Sequence, residues 1–365
     1  MTAPTLAPCG TWRSPITAAR VAAGTRPLTA PRIAGGHVRW LEGLPDEGGR
    51  VAVVERAADG TRRVLTPAPF NVRSRVHEYG GGAWCTDGTT IWFSHFGDHG
   101  VYEQRVGEAP RAVTSDGTRR HADFELDAAR GRLLAVCEDH GVLAEGAREP
   151  RNRLVALALA DGRSTTLAEG DDFYAAPRLA PEGRRLAWLS WRHPRMPWEG
   201  TELWLAAIAD DGTLTHVRHV AGGPDESIME PCWAPDGHLY CLSDRSGWWN
   251  LHRVDAAGLV PVLPMTVEFG APLWSFAPAH YGFTHAHEVI AACSEGGRSR
   301  LLRIDVQRGT SMSIDTSFDD ITELRVDAGK LVLLAGAGTL PTSVVSLPAS
   351  AATTQDAEVL ARSAD

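Results

Sequence analysis

The sequence predicts an all-β protein, a seven-bladed β-propeller of mainly four-stranded antiparallel blades. Three observations carry that prediction. Long helical periodicity is almost absent, while short runs rich in Val, Leu, Ile, Trp and Tyr recur between turn residues. Asp-Gly occurs at Asp59, Asp87, Asp116, Asp161, Asp211 and Asp236, each soon followed by such a run. The pair favours the positive backbone angles of a two-residue hairpin turn, so the chain reads as a string of antiparallel hairpins. The strongest apolar runs recur every roughly 40 to 50 residues, the range of propeller blades.

Those runs are VRWLE at Trp40, IWFSH at Trp92, LLAVC at Leu134, LAWLS at Ala187, LYCLS at Tyr240, VIAAC at Ile290 and LVLLA at Val332. Each is followed by a second run that lies next outward in its blade: VAVVE, VYEQR, LVALAL, LWLAAI, LHRV, LLRI and SVVSL, in that order. APEGRRLAWLS from Ala180 and WAPDGHLYCLS from Trp233 show the repeat most plainly, with a proline, an acidic residue and a glycine turning the chain into a strand. A blade alone cannot bury both faces of its sheet, and its neighbours cover them, so the unit must repeat. An array of β-sandwiches is the alternative, but sandwich domains rarely keep one spacing over seven units. The expected boundaries are an N-terminal segment over 1–15, the propeller over 16–348, and a linker or tail over 349–365, which is low in large apolar residues.

A chain of 365 residues with 43% hydrophobic and 22% charged residues has ample core material, and a large propeller absorbs that length as one domain. The net charge of -9 is spread along the chain without a basic block, which argues against nucleic acid as a partner. The six cysteines, Cys9, Cys85, Cys137, Cys232, Cys241 and Cys293, lie far apart and read as buried thiols of a reducing compartment. The N-terminus lacks a basic start followed by an apolar run, and no apolar stretch approaches the ~20 residues of a membrane span. A cytoplasmic protein without a membrane partner is expected.

The motif RVHEYGGGAW, from Arg75 to Trp84, sets a histidine, a glutamate and a tyrosine against three glycines, yet the chemistry it would serve is missing. No Gly-x-Ser-x-Gly nucleophile motif occurs; the near miss around Ser299 lacks its second glycine and lies between strands. The single lysine, Lys330, is followed by Leu331, which excludes a Gly-Lys-Ser/Thr phosphate loop. His285 and His287 share one side of a possible strand with Glu288 on the other, a pattern that more often meets solvent at a loop end than holds a metal. Glu78, Asp171, Asp172, Asp225 and Glu226 could reach the rim of a central channel, as the carboxylates of a carbohydrate-active propeller would, but nothing pairs two of them at a defined distance. No catalytic residue, metal or cofactor is therefore expected.

TWRSPIT from Thr11, RVHEYGGGAW, EPRNRLVALAL from Glu149, WLSWRHPRMPWEGTELW from Trp188 and SDRSGWWNLHRV from Ser243 together resemble one family. They are similar to the N-terminal propeller of prolyl-oligopeptidase-family serine peptidases, in the acylaminoacyl peptidase and dipeptidyl aminopeptidase branch. The resemblance runs from about Thr11 to the end. It implies a propeller that caps an α/β-hydrolase domain carrying the Ser-Asp-His triad, and that limits entry to small peptides. The hydrolase domain has no counterpart in this chain, so the chain alone is expected to be inactive, as an excised, truncated or split form. The family motifs make Glu78, Tyr79, Arg245, Trp248 and Trp249 the candidate substrate-binding residues: Glu78 to hold a free α-amino group, the tryptophans to offer an apolar wall or to pack between blades. The expected partners are a peptide substrate or a hydrolase domain, with self-association possible through the face such a domain would cover. A stand-alone propeller that binds a peptide or protein as a scaffold is the other reading.

Overall fold

The computed structural model describes residues 6–18, 24–57 and 59–364. Seven four-stranded antiparallel sheets follow one another along the chain, spanning 28–64, 84–112, 119–168, 173–222, 228–261, 281–314 and 320–362. In every sheet the strands lie side by side in chain order. Their first strands meet around a common centre, blade one closing against blade seven. The chain is a seven-bladed β-propeller. All seven aligned runs form second strands, and all seven following runs form third strands.

The core lies between blades, as the repeat requires. Leu28, Trp40 and Val54 of blade one pack against Val332, Leu334 and Val344 of blade seven in one buried cluster. Among the described residues no strand is exchanged between these two blades. The ring closes instead through the backbone N–H of Ala30 on the Glu323 carboxylate (2.8 Å), Lys330 Nζ on the Gly36 carbonyl (2.8 Å), and the N–H of Arg26 on the Ser363 carbonyl (2.8 Å).

The aspartates of the six Asp-Gly pairs all fold back on their own loop. Asp59, Asp87, Asp116, Asp161, Asp211 and Asp236 each accept the N–H two residues ahead, at 2.8 to 3.1 Å. Five of the pairs close hairpins, in loops longer than the two-residue turn expected, and their glycines have positive φ. Asp116 departs from expectation: it lies in the link between blades two and three, where Gly117 has no need of a positive φ. The aspartate supplies the turn by itself and does not require a hairpin. Asp87 also accepts the N–H of Thr90 at 2.7 Å. Its replacement by Ala should lower stability by about 1 kcal/mol, read as a shift of the urea midpoint.

Further boundaries move. Within 349–365, expected as linker or tail, Glu358–Arg362 forms the outermost strand of blade seven, with Val359 opposite Val345. An outermost strand needs one apolar side only, so its composition resembles that of a linker. At the other end the first strand begins at Leu28. Cys137, Cys241 and Cys293 are buried, Cys85 and Cys232 half-buried, and Cys9 exposed, against the expectation for that residue. No helix of the described residues is long and apolar enough to cross a membrane.

The innermost strands share one device. Ala30, Gly82, Asp123, Ala176, Glu230 and Ala277, one at or just before the innermost strand of each of the first six blades, have φ between 47° and 62°. At Ala30, Asp123, Ala176 and Glu230 the register also slips by a bulge. A bulge turns the backbone N–H out of its own ladder. Here that N–H reaches the preceding blade: Asp123 N–H donates to the Gly82 carbonyl (2.9 Å) and Ala176 N–H to the Asp123 carboxylate (2.7 Å). The blades are stapled around the channel at the level from which the next segment crosses it.

Candidate substrate site at the channel mouth

The HEYGGG segment belongs to the link between blades one and two, and it crosses the mouth of the channel. Gly81 pairs in parallel with Phe276, whose N–H donates to the Gly80 carbonyl at 2.9 Å. Phe276 lies between blades five and six, so the contact joins blades that are not neighbours. Glycine is required for this approach. Gly80, Gly81 and Gly82 all have positive φ, and a Cβ on Gly81 would stand 2.6 Å from the Phe276 nitrogen and 2.7 Å from its oxygen. His77 and Glu78 also adopt left-handed backbone, with φ of 54° and 64°.

This crossing presents Tyr79 to solvent. Its ring meets Trp274 edge-on at 5.2 Å, and Trp274 in turn leans on Trp198 at 4.5 Å. The ridge separates two cavities of about 1270 and 1030 Å³, which share Glu78, Tyr79, Trp274 and Phe276 as lining residues. The larger runs over blades six, seven, one and two and is floored by small residues such as Thr29, Ala30, Gly82 and Ala277. The smaller, over blades three and four, is an aromatic box. His77 stands edge-on to Phe173 (5.0 Å) and Trp191 (5.6 Å) and tilts over Phe276 (4.8 Å).

Burial in that box pushes the His77 pKa down to about 4, only partly opposed by the Glu138 charge, so the ring is neutral at pH 7. Two buried polar atoms without a protein partner, His77 Nε2 and Asn152 Oδ1, belong to residues of this cavity. Carboxylates stand at its rim. Glu78 accepts from Arg75 and from Arg120 Nη1 (2.9 Å); Arg120 bridges to Glu138 (3.2 Å), and Glu138 meets His140 Nε2 at 2.7 Å. The two guanidiniums hold the Glu78 carboxyl below its ordinary range, so it stays ionised while its side chain remains 60% exposed.

Of the candidates from sequence, Glu78 and Tyr79 therefore sit together at the junction of both cavities. Arg245, Trp248 and Trp249 do not line either cavity; they lie in the loop between the second and third strands of blade five. Arg245 forms a two-pronged ion pair with Glu226 (2.9 and 3.2 Å). Trp249 packs beside the core cluster between blades five and six, its backbone N–H donating to the Glu268 carboxylate at 2.8 Å, and Trp248 is partly exposed. Asp171 is engaged by Ser190 Oγ and by Arg192, and Asp172 by the N–H of His193 at 2.9 Å. Ser299 Oγ accepts the N–H of Ile321 (2.9 Å), a structural role. Among the described residues no group of three His, Cys, Asp or Glu side chains could hold a metal.

Sequence reading missed His77, Phe173, Trp191, Trp198, Trp274 and Phe276 as a set. They come from separate links and strand ends, and only the motifs around Trp188 and RVHEYGGGAW pointed to any of them.

No protein-family model and no curated protein matches the chain. Solved structures do. Puromycin hydrolase is 33% identical with a TM-score of 0.88, over 98% of this chain and 57% of that one. A puromycin-hydrolysing peptidase of Mycobacterium tuberculosis is 33% identical with a TM-score of 0.89, over 98% of this chain and 56% of that one. Prolyl oligopeptidase B of Galerina marginata, 11% identical, matches in fold alone, with a TM-score of 0.67 over 94% of this chain and 52% of that one. The chain spans little more than half the length of these proteins.

Proposed function

We propose that this chain, a seven-bladed β-propeller similar in structure to puromycin hydrolase, belongs to the prolyl oligopeptidase family and is the non-catalytic, substrate-gating part of a serine peptidase, holding the amino end of a short peptide at the channel mouth. The observation that carries this reading is the place of Glu78. Its ionised, exposed carboxylate stands at the junction of the two cavities, beside the aromatic ridge of Tyr79 and Trp274. A carboxylate suits an α-ammonium group through a charge-assisted bond, and the neighbouring aromatic box suits a bulky side chain. Arg75 and Arg120 pre-orient the carboxylate, leaving the amine to add to an existing network. Two relatives are named for hydrolysing puromycin, which accords with an amine-bearing aromatic ligand.

The test uses the tryptophans of the ridge as reporters. Titration of the purified chain with phenylalanyl-phenylalaninamide should quench tryptophan fluorescence, and the N-acetylated dipeptide should bind at least tenfold more weakly. Glu78→Gln should abolish that preference. Chromogenic aminoacyl and dipeptidyl substrates should show no turnover. Equal binding of free and acetylated peptide would refute the amine reading, and serine-reagent-sensitive turnover would refute the non-catalytic one.

A further inference from the structure

The far end of the channel carries a second, differently charged site. The innermost strands run from the mouth described above, where Thr29 and Glu323 line the larger cavity, to the opposite mouth, where Arg178, Leu179 and Pro181 line a cavity of about 270 Å³. Its charged lining is Arg178 of blade four and Arg325 of blade seven together with Glu125 and Glu230. These blades are not neighbours, so the cavity lies on the propeller axis. Register places its residues at one level. Leu134, Ala187, Tyr240 and Val332, equivalent positions of four second strands, pair with Glu125, Arg178, Cys232 and Arg325. Arg32 of blade one, opposite Arg39 beside the equivalent Trp40, stands near the same level, outside the lining of the cavity but within electrostatic reach of Arg178 and Arg325.

The three guanidiniums are underused. Arg325 donates from Nη2 to the Ala277 carbonyl (2.8 Å) and lies 3.9 Å from Glu323, while its Nε is buried without a partner. Arg178 uses one nitrogen, Nη1, for both Asp123 (3.0 Å) and the Pro177 carbonyl (2.8 Å). Arg32 makes no close ion pair among the described residues, and Glu323 is the carboxylate that acts on it most strongly. The nearby carboxylates are shared with other partners: Asp123 also holds the Ala176 N–H, Glu230 the His280 ring, and Glu323 the Ala30 N–H. Glu125 takes the N–H of Leu179 at 3.2 Å, and its burial favours the neutral acid.

We propose that Arg32, Arg178 and Arg325 form a seat for a single oxyanion, a phosphate or a carboxylate, on the propeller axis at the mouth opposite Glu78. Planar guanidinium forks match the paired oxygens of such an anion. The site does not depend on the peptidase reading. Burial, with the charges of Arg32 and Arg178, pushes the Arg325 pKa down to about 9 against the opposing pull of Glu323 and Glu230. Arg178 is pushed the other way, by the charge and hydrogen bond of Asp123 against its burial, and so remains the firmly charged member.

Calorimetric titration of the whole chain with inorganic phosphate, against sodium chloride at matched ionic strength, tests the seat. One phosphate should bind per chain, and Arg32→Gln and Arg325→Gln should each weaken it at least tenfold. Arg218→Gln, on an exposed outer strand, should leave it unchanged. Without phosphate, Arg325→Gln should melt no lower than the parent, because it removes a repelled cation; this also verifies that the variant folds. Acetyl-dialanine as free acid and as amide distinguishes a peptide end from a free anion: binding of the acid alone identifies a chain terminus, and binding of phosphate alone a free ion. Absence of binding by both phosphate and the dipeptide acid, or binding unchanged in both Arg32→Gln and Arg325→Gln, overturns the proposal.

Discussion

Gly81→Ala should lower the stability of the propeller by about 3 kcal/mol, combining left-handed backbone strain of ~1–2 kcal/mol with overpacking of similar size. The new Cβ would fall between the nitrogen and oxygen of Phe276, at 2.6 and 2.7 Å, with Ser275 Cβ at 3.0 Å. Backbone atoms cannot rotate away, so the crossing segment must lift from the link between blades five and six. Gly107→Ala is the control. Its φ is 90°, yet nothing lies within 4 Å of the added Cβ, so it should show the strain alone. Urea unfolding gives the comparison, and Gly81→Ala no more harmful than Gly107→Ala would refute the packing argument. Because Tyr79 reaches Trp274 only across this segment, the same substitution should alter tryptophan emission and weaken peptide binding.

Acidification from pH 6.5 to 4 should cost the fold about 3 kcal/mol through His121 alone. His121 is 2% exposed, neither ring nitrogen has a partner, and burial pushes its pKa down to about 4. The unfolded chain, with an ordinary value of 6.5, takes up a proton that the folded chain refuses. Stability is therefore full above pH 6.5 and falls as pH drops toward 4. His77 adds to the loss in the same window. His280 acts in the opposite sense: Glu230 raises its pKa, so its contribution is present below 6.5 and fades as pH rises above that. Urea unfolding across this range should show a shallower pH dependence in His121→Leu than in the parent; equal slopes would remove His121 as the cause.

The blade count was legible because two short-range signals agreed. Apolar strands such as LAWLS and LYCLS recur after turn residues, and an aspartate that accepts the N–H two residues ahead forms its turn wherever the chain goes. The same locality explains the errors. Asp116 makes the expected turn but in a link between blades, and Glu358–Arg362 is a strand too polar to stand out from a tail. RVHEYGGGAW was visible as unusual, and its glycines as a close backbone approach. That Phe276 would be on the other side of that approach was not visible, since the two segments are nearly 200 residues apart in sequence.

By itself the sequence determined what is set by neighbours along the chain: strands, turns, the seven-fold repeat, and the resemblance that its motifs carry. The tertiary structure alone decided which links cross the channel, that Glu78 and Tyr79 join an aromatic box while Arg245, Trp248 and Trp249 stand apart, and that Arg178 and Arg325 meet on the axis. The physical reason is that blades repeat locally, whereas the channel gathers one residue from each. Contacts across it depend on ring closure and on bulges that leave no periodic mark in the sequence.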